Sequence, residues 1–110
     1  MTISFGDKRI LTGARTVLTP VTAADADALR PLLRDLEVSV LTGSVSSWRP
    51  TDAERQPYSA AELREIYGRW ATAEDRIVWT IRDRSDDRVL GEAVLNDLDT
   101  RNLSCGFRIW

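Results

Sequence analysis

Glu92 is the acidic residue of this sequence best placed for proton-transfer chemistry. It falls in the alternating stretch Val89 to Leu95, with Leu90 and Val94 on its own face. A carboxylate among apolar neighbours has its pKa raised toward the working range of a base. If that face is instead partly solvated, Glu92 simply points outward. The chain has no histidine and one cysteine, Cys105. This removes Ser-His-Asp and Cys-His catalysis, disulfide frameworks and His/Cys metal cages within one chain. A protein base must then be a carboxylate, or a water held by one.

Asn96 and Asp97 close the same strand, either orienting substrate or water or serving as plain turn residues. Trp48 and Arg49 lie in a polar stretch, where an aromatic either packs onto the body or contacts a partner. Trp79, Trp70 and Tyr67 are core residues, because their spacing already accounts for them. Cys105 falls on the apolar face of its strand and is expected to be a buried, inert thiol. Asp83, Arg84, Asp86, Asp87 and Arg88 form a solvated hairpin tip, too short a ligand pattern for calcium.

The elements that must position these residues are readable from period and punctuation. Residues 1–13 are a lead-in, weakly ordered or a short strand. Thr16 to Thr19 is a β-branched strand that stops at Pro20. Thr22 caps a helix with Asp25 in its first turn, and Leu29, Leu32, Leu33 and Leu36 share one helical face. Pro31 conflicts with that pattern and is expected to kink or restart the helix. From Leu41 to Pro57 periodicity is lost, which indicates a long loop. Ser59 and Glu62 form a capping box ahead of Leu63, Ile66, Tyr67 and Trp70 at helical spacing.

Beyond Arg76 the period changes to two. Ile77, Trp79 and Ile81 oppose Val78, Thr80 and Arg82, and Ser85-Asp86-Asp87 makes a turn. A second turn region spans Asn96 to Asn102, and a last strand aligns Leu103, Cys105, Phe107 and Ile109. The expected fold is α/β (α+β): strand, two helices, then a three-stranded antiparallel meander whose last strand is left open.

The 110 residues include 15 basic and 17 acidic side chains, a formal charge of −2, with 43% hydrophobic residues. This is one globular domain without the basic surplus of a nucleic-acid or anionic-membrane binder. No secretory signal or bilayer-length apolar run is present, so a cytoplasmic location is the expectation.

In order and spacing the sequence resembles the GCN5-related N-acetyltransferases of the ribosomal-protein-acetylating subgroup. The resemblance runs from residue 14 to 110. It rests on Leu18-Thr19-Pro20-Val21-Thr22 with Asp25 to Leu29, on Glu37-Val38 leading to Leu41-Thr42-Gly43, and on Tyr58-Ser59. It continues through Trp79 to Arg82, Val89 to Glu92, Leu95-Asn96-Asp97 and Gly106-Phe107. The resemblance implies transfer of an acetyl group from acetyl-CoA to a primary amine, of a protein N-terminus or a small molecule, by direct attack. It implies that the backbone of Phe107, Arg108, Ile109 and Trp110 pairs with the pantetheine arm. It also implies that the loop with Trp48 and Arg49 floors the acceptor site.

Two departures stand out. Relatives often carry an acid two residues before the Gly-aromatic pair, where this sequence has Ser104. None of the six glycines forms the Gly-x-Gly of the family's pyrophosphate loop, which would follow residue 110. The chain therefore resembles the N-terminal half of the domain and is expected to be inactive by itself. The alternative is a non-catalytic acetyltransferase-like module that interacts or dimerises through its open strand edge. The expected partners are an amine substrate and, at that edge, a second copy or the missing C-terminal half.

Overall fold

The computed structural model describes residues 4–35, 38 and 58–110. Leu36, the expected loop from Leu41 to Pro57, and with it Trp48 and Arg49, lie outside the described residues.

The element order is β1 (Leu11–Thr12), β2 (Thr16–Pro20), a 3₁₀ turn (Ala23–Asp25), α1 (Ala26–Leu33), α2 (Ala60–Trp70), β3 (Ile77–Asp83), β4 (Val89–Asp99) and β5 (Ser104–Ile109). The five strands lie side by side in sequence order and every neighbouring pair is antiparallel. The expected mixed α/β architecture, two helices and an open sheet, is the observed one.

Local chemistry sets the helix starts. The Thr22 hydroxyl accepts from the Asp25 amide, and the Asp25 carboxylate accepts from the Thr22 amide, so each satisfies one orphan donor of the first turn. Ser59 and Glu62 repeat the arrangement at the start of α2. Pro31 sits inside α1, which nevertheless continues through Leu33, so the expected restart does not occur.

The helices cover one face of the sheet. Val78 and Val94 meet Val21, Ala26, Leu29, Leu63 and Tyr67 there, and burial of a side chain such as Leu29 contributes about 2 kcal/mol. On the other face Ile77, Trp79 and Ala93 pack with Phe5, Leu18, Ile81 and Leu95. The segment preceding β1 straps across this second face. Phe5 N–H donates to the Glu74 carbonyl at 2.7 Å, and Trp79 Nε1 donates to the Arg9 carbonyl at 2.8 Å. Lys8 Nζ, on the only lysine of the chain, donates to the carbonyls of Ala73 and Arg76.

Three expectations about β4 and β5 are corrected. The second turn region does not begin at Asn96, because β4 runs on to Asp99. Register slips between Asn96 and Asp99, and Asp97 takes φ 53°, so a bulge absorbs an extra residue and lets pairing resume. Leu103 lies in the turn at φ 55° rather than in the strand. Cys105 is exposed, not buried. It shares its face with Phe107 and Ile109, which are 66% and 56% exposed: the strap that shields Trp79 leaves this part of β5 open.

Candidate active site

Two carboxylates are buried beneath the helices, Asp25, whose partners include Thr80 and Arg82 of β3, and Glu92, whose partner is Tyr67 of α2. Thr80 on β3 stands directly opposite Glu92 on β4, so both side chains project to the helix-covered face.

Asp25 is fully engaged. Its Oδ2 accepts from Thr80 Oγ1 at 2.8 Å and from the Thr22 amide, and its Oδ1 accepts from Arg82 Nη2 at 2.6 Å. A carboxylate with a cation and two neutral donors is compensated for its burial. This arrangement ties the 3₁₀ turn to β3 and leaves no free proton acceptor.

Glu92 is different. It is 3% exposed, so the solvated alternative is set aside. Its Oε2 accepts from Tyr67 Oη at 2.6 Å, and Tyr67 is itself 1% exposed. Desolvation pushes the Glu92 carboxyl above the ordinary range, against the hydrogen bond from Tyr67, the nearby Trp110 side chain and the more distant charge of Arg108. The Tyr67 phenol is pushed up by the same burial, then by the neighbouring Glu92 charge. A buried acid among neutral donors, with its proton affinity raised, is a candidate to accept and return a proton.

The apolar flank of Glu92 is only half as expected. Val94 is buried, but Leu90 is exposed. Ile81 pairs with Gly91 and Arg82 with Val89, so Leu90 is the extra residue of a bulge.

The four residues expected to pair through their backbone extend along and just past β5. Trp110 N–H donates to the Glu92 carbonyl, and Glu92 N–H donates to the Trp110 carbonyl, both at 3.1 Å. In an antiparallel ladder such doubly bonded pairs alternate with open ones. Trp110 and Arg108, opposite Glu92 and Val94, therefore turn their amides inward, while Phe107 and Ile109 turn theirs to the outer edge. That edge has no neighbouring strand among the described residues.

Asn96 shares the Glu92 face, and its carboxamide lies where a side chain on Gly106 would go. Asp97 is exposed in the bulge. Trp48 and Arg49 lie outside the described residues. Among the described residues no group of three or more His, Cys, Asp or Glu could hold a metal ion, and no helix is long and apolar enough to cross a membrane.

Sequence reasoning missed Tyr67, Thr80 and Arg82 as members of this site and read Asp25 only as a first-turn acid. The one available signal was the polar tip of Tyr67 on an otherwise apolar helix face, since a buried phenol needs a partner.

No protein-family model and no curated protein matches the sequence. Among solved structures, the crystal structure of a GCN5-related N-acetyltransferase from Brucella melitensis is similar, with a TM-score of 0.58 and 19% sequence identity. The match covers 90% of this chain and 42% of that one, so the chain spans less than half the length of its structural neighbour. Over nine-tenths of its length, then, this chain has the fold of part of a GCN5-related N-acetyltransferase.

Proposed function

We propose that residues 14–110 form the acceptor-side part of an N-acetyltransferase domain, with residues 1–13 as its lead-in, and that the domain moves an acetyl group from acetyl-CoA to a primary amine. The observation that carries this reading is the shared fold over 90% of the chain, with a buried proton-affine carboxylate on β4. The ribosomal-protein-acetylating subgroup, with a protein N-terminus or a small amine as acceptor, is the finer reading supported by the sequence motifs.

Acetyl-CoA supplies an acyl carbon that a neutral amine attacks, the C–N bond forming as the C–S bond breaks. The outward amides of Phe107 and Ile109 fit an extended, amide-bearing arm laid along β5, as an added strand would be. A grip for the diphosphate is not found among these residues, which contain no Gly-x-Gly. Glu92 takes the proton that the amine loses. Its burial means the proton reaches it over a hydrogen-bonded bridge rather than by direct contact. Asn96, on the same face, orients the acceptor or a bridging water, with Asp97 next to it in the exposed bulge. Trp48 and Arg49 belong to the acceptor floor in this reading.

The test is to incubate the full gene product with acetyl-CoA and a panel of peptide N-termini and small amines, following thiol release and product mass. A 42 Da gain on one primary amine, the mass of an acetyl group replacing a proton, is expected. No transfer to any amine, with no acetyl-CoA binding by calorimetry, overturns the reading.

A second reading is favoured by the exposed Phe107 and Ile109 on a strand whose outer edge has no neighbour among the described residues: a non-catalytic module that pairs through β5 with a second copy. Sedimentation at rising concentration distinguishes it, because a monomer throughout removes it.

A further inference from the structure

We propose that Tyr67 is the positioning residue of this site: its hydroxyl locks the Glu92 carboxyl in place and holds it as the proton acceptor. The inference rests on the acetyl-transfer reading for its function, and on the geometry alone for the pairing.

Tyr67 lies on the buried face of α2, 25 residues before Glu92 in the chain, and nothing local requires the two to meet. Its ring is held edge-on by Trp70, with centroids 5.6 Å apart, and Arg76 stacks on the far partner Trp70 at 4.6 Å. The phenol therefore has little freedom to turn away from β4. At 2.6 Å its O–H donates to Glu92 Oε2, and a donor to a carboxylate favours the ionised form. Burial works in the opposite direction. Without the hydroxyl, Glu92 would stay protonated to higher pH, so less of it would be in the ionised form that can take the amine's proton.

The groups around Glu92 do not replace this donor. From β5 comes the more distant Arg108 charge, and just past it the Trp110 side chain. From β3 comes Thr80, whose hydroxyl is committed to Asp25, and beside it Arg82, which pairs with the same Asp25. From α1, which packs on β4, come Asp27, paired with Arg64 of α2, and Arg30, whose Nε is buried without a hydrogen-bond partner among the described residues. Tyr67 is the only hydroxyl that reaches Glu92 within hydrogen-bond distance among the described residues.

The experiment follows the Glu92 side-chain carboxyl by carbon NMR in protein labelled with carbon-13 glutamate, with Glu92→Gln to assign the signal. In Tyr67→Phe the titration midpoint of Glu92 is expected to rise by roughly one to two pH units. The acid limb of the acetyl-transfer pH profile moves by the same amount. Fluorinated tyrosine, a stronger donor of unchanged shape, moves both downward and keeps the readout available if Tyr67→Phe folds poorly. A Glu92 midpoint unmoved by either change overturns the proposal. A midpoint that moves in a protein that transfers no acetyl group supports the pairing and removes the acetyltransferase reading.

Discussion

Thr80 and Glu92 face each other across β3 and β4, yet each side chain is committed to a different element above the sheet. Thr80 donates to Asp25 of the 3₁₀ turn, while Glu92 accepts from Tyr67 of α2. One cross-strand pair thus separates a compensated carboxylate from a proton-affine one, and the difference lies in what stands over each.

The raised affinity of Glu92 has a consequence for stability. The folded protein keeps a proton that the unfolded chain releases in the ordinary glutamate range. This contribution is full below that range and is lost as pH rises through the raised value. Wild type therefore weakens relative to Glu92→Gln as pH rises from the ordinary glutamate range upward, to be read as urea midpoints. Parallel curves for the two proteins would show that Glu92 titrates as an ordinary surface acid.

Asp25 carries a structural load instead. Its side chain is 10% exposed and that of Arg82 is 20%, so the pair is poorly solvated. Asp25→Asn is expected to cost about 2–3 kcal/mol, because it leaves the Arg82 charge with only the longer contact to the exposed Asp87 at 4.0 Å and weakens the cap of the 3₁₀ turn. A double-mutant cycle with Arg82→Met should return a coupling of about 1–3 kcal/mol in chemical denaturation. Additive losses would mean the two charges do not feel each other.

Two glycines should respond in opposite directions. A Cβ on Gly91 would run into the Trp110 carbonyl, the same group that pairs with Glu92, so Gly91→Ala is expected to cost about 1–3 kcal/mol. A Cβ on Gly68 would meet only the Ala23 Cβ at 3.6 Å, an ordinary contact on the body of α2. Gly68→Ala should therefore stabilise by about 0.5–1 kcal/mol. Thermal melts followed by circular dichroism give both signs in one experiment.

Lys8 clasps the strap over Trp79 through two backbone carbonyls, with its charge also drawn by Asp75 and Glu74. Lys8→Met keeps the stem but removes the donors, at a cost of about 1 kcal/mol. Amide exchange should quicken at Phe5, whose N–H is bonded to Glu74, and Trp79 fluorescence should shift to the red. Unchanged exchange at Phe5 would show that Phe5 and Trp79 hold the strap unaided.

What the sequence made legible follows from where the controlling physics is local. The N-cap at Thr22, the capping box at Ser59 and the period-two run from Ile77 are written in neighbouring residues, and the structure follows them. The bulges at Leu90 and Asp97 are not, because an extra residue in a strand shows only against its partner. Cys105 was misjudged for a related reason: alternation names a face but does not say whether anything covers it. The alternation around Glu92 left open whether its face is covered, and both its burial and its link to Tyr67 depend on how α2 lies over β4. Pairwise periodicity carries no information on that crossing.

The central claim is that Glu92 accepts the proton in an acetyl transfer to a primary amine. The most direct measurement compares the acetyl-transfer rate of the full gene product with that of its Glu92→Gln variant, at saturating acetyl-CoA and across pH. The account predicts a loss of about 10²- to 10⁴-fold in the variant together with disappearance of the acid limb. A variant that transfers acetyl at the wild-type rate, with the same pH profile, would contradict it.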